Sequence, residues 1–329
     1  MHLIPDSLIA NAVAIPIAFA LLIYSASFLV DGAVGIADRT GLPKIIIGIV
    51  IVGFATTAPE LAVSVAAALR GSPEIALGNA VGSVIVDDGA AIGLGLLVAP
   101  AVVFINPRIM RSVGLFVPAA GLVAFLLALN GTIGRIEGAI LLSAHVVYVV
   151  VLVVSHRRKD PHLETNESEE VTEHVKSGGL LAQVLRLVGG VVGVLIASEI
   201  LVPSAQYIAL ELGVSEAIIG LTVIAIGTSL PEIVTCISAS RKGHGDLAFG
   251  DILGADILNV LWIIGLSAMV NPITVERKVV LFSFPWMFVL VGAMLGLVWM
   301  GYSLRRWKGV VLLCLFTIYM ASTIVLFYL

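Results

Sequence analysis

Long apolar runs separated by short polar breaks dominate the chain from end to end. Most runs reach the roughly 20 residues that a helix needs to cross a bilayer. The pattern therefore predicts an all-α polytopic membrane protein with ten transmembrane helices. The predicted spans are 8–30, 43–69, 74–98, 109–129, 136–155, 180–208, 215–240, 246–270, 279–301 and 309–328.

Composition supports a lipid environment. Of the 329 residues, 59% are hydrophobic and only 12% are charged, too few charges to cover a water-facing surface. The net charge of −4 argues against a nucleic-acid partner. Cys236 and Cys314 both lie in apolar runs, so we expect no disulfide framework. Nothing in the sequence demands a partner chain, and we expect a functional monomer in the lipid bilayer.

The basic residues predict an orientation in the cell membrane. A polar, acidic segment, 156–179, separates the fifth and sixth spans and is typical of a solvated linker. Fourteen of the 18 Lys and Arg residues fall in loops on the same side as this linker. Because cytoplasmic loops carry the basic excess, the linker is predicted to be cytoplasmic and both termini outside.

The two halves of the chain repeat each other and align without a gap. GIVIVGFATTAPE at 48–60 aligns with GLTVIAIGTSLPE at 220–232, and EIALGNAVG at 74–82 with DLAFGDILG at 246–254. Five spans per repeat, an odd number, would insert the second repeat upside down, an arrangement typical of secondary transporters. We therefore divide the chain into a first five-helix repeat (1–155), the linker (156–179) and a second, inverted five-helix repeat (180–329).

Each repeat contains a proline inside a predicted span. Pro59 and Pro231 lack an amide proton and are predicted to break their helices. Such irregular backbone is tolerated in a bilayer only where it is buried in protein or lines a polar cavity. Glu60 and Glu232 follow directly, and an intramembrane carboxylate is costly enough to need a partner or a task. The breaks would free carbonyl groups around Thr56, Thr57, Thr228 and Ser229.

The third and eighth spans each carry a polar stripe at four-residue spacing, and such residues share one helical face. Asp88 and Asp256 lie about 100° away from these stripes. All the polar side chains offer oxygen atoms as metal ligands, and oxygen ligands suit calcium or sodium rather than zinc or copper. Basic residues are absent from these segments, so cations or protons must neutralise them, and an anionic substrate is disfavoured. The stripes are Asn79, Ser83 and Asp87 in one span, and Asp251, Ala255 and Asn259 in the other.

GTSLPE at 227–232 and ATTAPE at 55–60 resemble the two alpha repeats of the calcium/cation antiporter superfamily, with sodium/calcium exchangers as the nearest branch. The resemblance implies a transporter rather than an enzyme, which exchanges sodium for calcium by alternating access as its first and sixth spans slide. It implies bound calcium and sodium as cargo and no cofactor. Glu60 and Glu232 would be the central calcium ligands. The further candidate metal ligands are Thr56, Thr57, Thr228, Ser229, Ser83, Asp87 and Asn259, together with Asp88 and Asp256.

The chain departs from the family pattern in the third and eighth spans. Val84 and Asp256 stand where Asn is usual, Ala255 replaces a Ser, and Asp88 is an additional acid. These changes keep a proton/calcium exchanger, or an exchanger of another divalent cation, as an alternative. A more distant alternative is an intramembrane aspartyl protease, whose paired Asp residues would share a proton. Gly93-Leu94-Gly95 is followed by Leu96 rather than by an Asp, which does not fit the protease alternative. That alternative also leaves Glu60 and Glu232 without a role.

Overall fold

The computed structural model describes residues 4–5, 7–41, 43–156, 179–211 and 225–328. The predicted linker and the part of the predicted span 215–240 before residue 225 lie outside the described residues. The elements are α1 (Leu8–Thr40), α2 (Lys44–Thr56), α3 (Ala58–Leu69), α4 (Pro73–Val98), β1 (Val103–Phe104), α5 (Pro107–Ser112), α6 (Phe116–Ala128), β2 (Thr132–Ile133), α7 (Arg135–His156), α8 (Leu180–Glu211), α9 (Ala225–Thr228), α10 (Leu230–Arg241), α11 (Gly245–Val270), β3 (Ile273–Thr274), α12 (Val279–Trp299), β4 (Ser303–Leu304) and α13 (Arg306–Tyr328).

The protein is an all-helical polytopic membrane protein. Among the described residues, seven helices are long and apolar enough to cross a bilayer, or eight when the bent pair α2–α3 counts as one span. Helix α6 has 13 residues, about 20 Å at 1.5 Å per residue, which is shorter than the roughly 30 Å hydrocarbon core. The ten predicted spans are therefore not all present as full-length helices in the described part of the chain.

Some predicted boundaries were wrong. Helix α1 continues well past the predicted end at residue 30 and stops at Gly41, whose left-handed φ of 67° terminates it. Within the part of the helix beyond residue 30, Asp31 pairs with Lys242. The predicted span 109–129 is divided into α5 and α6. Pro118 lies in the first turn of α6 and cannot donate the hydrogen bond that would join the two helices.

Four two-residue strands were not predicted. β1 pairs with β4 and β2 pairs with β3, both antiparallel. The register places Val103 opposite Leu304 and Thr132 opposite Thr274. Each ladder therefore fastens a loop of the first half of the chain to a loop of the second half.

Helices α4 and α11 form the centre of the molecule. Their apolar segments are 78% and 83% buried, whereas those of α7 and α13 are 22% and 17% buried. Both central helices follow a turn whose glycine, Gly71 or Gly243, has a φ above 80° that other residues rarely adopt. Each also contains a wider π-helical turn, Asp87–Ala91 in α4 and Leu258–Ile263 in α11. Such turns occur frequently at functional sites.

Close packing places α2 against α11. A side-chain carbon added at Gly250 would collide with the backbone carbonyl of Ile45, and one at Gly254 with that of Ile49. On the facing helix, a carbon at Gly48 would collide with the carbonyl of Leu247. Because only glycine fits at these crossings, the backbones approach closely. This approach brings the end of α2, with Thr56, to the polar face of α11.

Candidate cation-binding site

Both predicted helix breaks are present, two residues before each proline. Thr57 separates α2 from α3 with φ −76° and ψ 6°, and Ser229 separates α9 from α10 with φ −85° and ψ 9°. The bend between α2 and α3 is 44°. Pro59 and Pro231 then lie in the first turn of the following helix, where their missing amide proton is tolerated. Glu60 and Glu232 therefore project from helix starts beside irregular backbone.

The two glutamates lie close together in the interior. Both are completely buried, and they are near enough for their charges to interact. Ser229 Oγ donates a hydrogen bond of 3.2 Å to Glu60 Oε1. Since Ser229 and Glu232 belong to the second half of the chain, this bond joins the two halves at the site.

Asp87 completes the central acidic group. It is fully buried on the π-helical turn of α4 and interacts with the charges of both Glu60 and Glu232. Neither of its carboxylate oxygens has a hydrogen-bond partner among the described residues. The same holds for both oxygens of Glu232, for Ser83 Oγ and for both side-chain polar atoms of Asn259. The predicted residues of α4, α10 and α11 thus present unsatisfied polar atoms to the interior, most of them oxygens.

The four hydroxyl residues at the breaks have different partners. Thr57 Oγ1 donates to Gly53 O at 2.7 Å. Thr56 Oγ1 can donate to Asp251 Oδ1 at 3.2 Å or to Val52 O of its own helix at 3.1 Å. Thr228 Oγ1 donates to Asn79 Oδ1 at 3.2 Å. All four hydroxyl side chains are buried, and each oxygen keeps a lone pair that can accept or coordinate.

Asp88 and Asp256 form a second acidic pair. Both are completely buried and their carboxyl groups interact with each other. Of the central group, Asp87 interacts with the charges of both members of this pair. The structure therefore places Asp88 and Asp256 next to the central group, where each is the main interaction partner of the other.

The buried Asp, Glu, Lys and Arg side chains of the described residues are almost all acidic. Six carboxylates are completely buried, and Lys308 is the one buried basic residue in that part of the chain. Its ammonium donates to the carbonyl oxygens of Leu297, Met300 and Ser303, away from the acidic groups. The six are Glu60, Asp87, Asp88, Glu232, Asp251 and Asp256.

In the described part of the chain, acidic side chains alone do not form a complete metal site. Within the described ranges, no three His, Cys, Asp or Glu side chains converge closely enough to hold a metal ion. A cation here would need hydroxyl, amide or carbonyl oxygens in addition to carboxylates, which is the ligand set that calcium accepts. The arrangement can hold hard cations at mixed oxygen ligands.

Two polar residues, the partly buried Asn79 and the completely buried Asp251, were missing from the predicted ligand set. Asn79 and Asp251 belong to the predicted polar stripes, but the family resemblance did not include them. Each accepts a hydrogen bond from the broken helix of the other half. Their four-residue spacing from Ser83 and Ala255 was the signal that could have identified them.

Comparison with known proteins agrees with this architecture. The family model described as "Sodium/calcium exchanger protein" matches residues 11–154 and 182–325. The inner membrane protein YrbG of Escherichia coli is 34% identical over 80% of this chain and 81% of its own length. The putative antiporter CaxA of Alkalimonas amylolytica is 36% identical over 77% and 78%. The sodium/calcium exchanger MaX1 of Methanosarcina acetivorans is 26% identical over 93% and 95%.

Solved structures share the fold. A structure of the sodium–calcium exchanger NCX_Mj, soaked with 2.5 mM Na⁺ and 10 mM Sr²⁺, superposes with a TM-score of 0.82. The match covers 96% of this chain and 99% of the solved chain at 24% identity. The family consists of transporters, which excludes the protease alternative. From the matches of sequence and fold together, the chain is a member of the sodium/calcium exchanger protein family.

Proposed function

We propose that the protein is a secondary active antiporter that exchanges calcium for sodium across the membrane. The observation that carries this proposal is the group of buried carboxylates around Glu60 and Glu232, close to which the described residues provide no buried cation. Uncompensated charge in a low-dielectric interior is strongly unfavourable, so positive ions must neutralise it. The relatives named as sodium/calcium exchangers support calcium and sodium as those ions.

The proposed ligands are those that the sequence predicted. Glu60 and Glu232 supply the central carboxylates, and Asp87 adds a third within the same electrostatic group. The ions are cargo, and no cofactor is required. The remaining ligands in the proposal are Thr56, Thr57, Thr228, Ser229, Ser83 and Asn259, with Asp88 and Asp256 as an adjoining pair.

Coupling follows from mutual exclusion at the carboxylates. One divalent ion or several monovalent ions can neutralise the group, but both sets cannot occupy the same oxygens. An unoccupied, ionised group would be costly to expose to a low-dielectric barrier. Movement between the two sides of the membrane is therefore favoured only with ions bound, which produces exchange rather than leak.

Alternating access would use the long helices α1 and α8, the first and sixth spans. They pack along each other at glycines: a carbon added at Gly190 would collide with Leu29, and one at Gly193 with Ser25. Much of both helices is exposed, since their apolar segments are only 39% and 28% buried. Two helices that pack closely on each other and are otherwise largely exposed support sliding as one unit.

The proposal includes ten spans in two inverted repeats, bounded at 1–155 and 180–329. Recurring element bounds support it: in the alignment of the two halves, α3 coincides with α10, α4 with α11, and the start of α1 with the start of α8. An odd span count inverts the second repeat. The basic loops then favour a cytoplasmic 156–179 segment and outside termini. We propose a monomer in the lipid bilayer as the functional unit.

Proton/calcium exchange is the second candidate, and the Asp88–Asp256 pair is the observation that favours it. Two interacting buried carboxyl groups can share a proton, because both cannot easily be ionised together. In this version protons would replace sodium as the driving ion, or another divalent cation would replace calcium.

A flux assay distinguishes these candidates. The purified protein in liposomes is loaded with sodium and diluted into sodium-free buffer that contains ⁴⁵Ca²⁺. We expect calcium uptake that requires the outward sodium gradient and persists when an ionophore removes any pH difference. Uptake driven by a pH gradient in the absence of sodium would favour the second candidate, and no uptake with either gradient would contradict both.

A further inference from the structure

The same cross-half hydrogen bond occurs twice in the molecule, with different acceptors. Thr228 donates to Asn79, and Thr56 donates to Asp251. In the alignment of the two halves, the two donors occupy equivalent positions and so do the two acceptors. One acceptor is therefore a neutral amide, whereas its counterpart is a carboxylate.

All polar atoms of the Asn79 side chain are hydrogen-bonded. Its Oδ1 accepts from Thr228, and its Nδ2 donates to Ser64 Oγ at 3.1 Å and to Glu60 O at 3.3 Å. This amide therefore bridges the broken helix of each half. The Asn79 side chain therefore needs neither an ion nor a further hydrogen-bond partner.

The counterpart in the second half lacks this completeness. At the equivalent positions, Cys236 replaces Ser64 and Asp251 replaces Asn79. An ionised carboxylate has no N–H to donate, and a thiol is a weak hydrogen-bonding group. Asp251 is completely buried, and its Oδ2 has no hydrogen-bond partner in the part of the chain that the structure describes.

Asp251 lies beside another carboxylate with unpaired oxygens. Its charge interacts with that of Glu232, whose two oxygens have no hydrogen-bond partner among the described side chains and backbone. Thr56 lies next to both carboxylates. Three oxygen-bearing side chains thus surround one place that has no amide donor.

We propose that Asp251 is an additional ligand for a sodium ion in a subsite with Glu232 and Thr56, a carboxylate whose counterpart in the first half is the neutral Asn79. This inference rests on the proposed exchange function and adds a ligand to it. Asp251 Oδ2, the two Glu232 oxygens and the Thr56 hydroxyl supply about four oxygens, fewer than the six to eight that calcium takes. A monovalent ion fits this smaller set, and its charge offsets the additional carboxylate.

Equilibrium binding to the purified full-length protein tests the subsite. ²²Na⁺ bound per chain at saturation, and ⁴⁵Ca²⁺ bound per chain without sodium, are measured for the wild type and for Asp251→Asn. We expect the substitution to lower saturating sodium by one ion per chain and to leave the number of calcium ions unchanged. Glu232 and Thr56 remain in place, so the remaining sodium ions should still bind.

Two further variants serve as controls. Cys236→Ser alone should leave sodium binding unchanged, because it does not alter the carboxylates. The double variant D251N/C236S copies the Asn79–Ser64 arrangement, so it should unfold at no lower temperature than the wild type while lacking the same sodium ion. This variant separates loss of a ligand from loss of folding.

The outcomes are distinct. An unchanged sodium stoichiometry and affinity in D251N and in the double variant would overturn the subsite and make Asp251 only an acceptor for Thr56. Loss of calcium together with sodium in the folded double variant would also overturn it, because Asp251 would then belong to the calcium site. If the wild type bound neither ion, the proposed function itself would fail, whatever the variants did.

Discussion

The central helices α4 and α11 and the peripheral helices α1 and α8 are all strongly apolar, yet they have opposite environments. Mean hydropathy is 1.7 and 1.9 for the central pair and 2.3 and 2.2 for the peripheral pair. Burial is 78% and 83% against 39% and 28%. In a membrane protein, therefore, hydropathy identifies a span but does not reveal whether it faces lipid or protein.

The central helices are distinguished by a small number of buried carboxylates. They carry Asp87, Asp88, Asp251 and Asp256, all completely buried. Carboxylates are too costly in lipid, so the helices that carry them must lie inside. The chain thus directs these helices to the centre by the same residues that we propose to bind ions.

The largest expected effect comes from removing one central charge. Glu60→Gln should weaken calcium binding by about 100-fold or more, because loss of one member of a buried charge pair costs about 3–5 kcal/mol. Sodium-driven ⁴⁵Ca²⁺ uptake and direct calcium binding measure this loss.

The control for that variant is Glu74→Gln, the same chemical change at an exposed position in the first turn of α4. It should leave both quantities unchanged. If E60Q transported calcium as the wild type does, the central acidic group would not be the ion site. The proposal that the buried carboxylates bind the transported ions would then be wrong.

A second variant tests packing in the centre. Gly250→Ala places a methyl group against the Ile45 carbonyl, and overpacking of this kind costs about 1–3 kcal/mol. We expect a lower unfolding temperature in detergent. Gly292, on the exposed face of the peripheral helix α12, has open space around it among the described atoms. Gly292→Ala should therefore be neutral or stabilising by up to about 1 kcal/mol. Equal destabilisation by both variants would contradict the close crossing of α2 and α11.

The sequence was sufficient for features that depend on local chemistry. The breaks at Thr57 and Ser229 follow from Pro59 and Pro231, since a missing amide proton acts within one helical turn. The burial of Glu60 and Glu232 follows from the cost of a carboxylate in lipid. These predictions needed no knowledge of which helices touch.

Features that depend on tertiary contacts were not predictable in the same way. The ion pair between Asp31 of α1 and Lys242 joins residues that are 211 positions apart. The hydrogen bond from Thr56 to Asp251 depends on the glycine-permitted crossing of α2 and α11. The two ladders, β1–β4 and β2–β3, join loops that are far apart in the sequence, and two-residue strands carry too little pattern to detect.

The smallest expected effect concerns the contact between periphery and centre. Lys242, just after α10, donates to Asp31 of α1 at 2.6 Å and to Ser27 O at 2.9 Å. The two side chains are 29% and 41% exposed, so water and salt screen the pair and its coupling should be at most about 1 kcal/mol. A double-mutant cycle of Asp31→Asn and Lys242→Gln on the free energy of unfolding measures this coupling, which should shrink further in concentrated choline chloride. Calcium affinity should not change, since neither residue touches the acidic group. A coupling well above the range of exposed ion pairs would mean that α1 is fixed to the centre, which is incompatible with its proposed sliding.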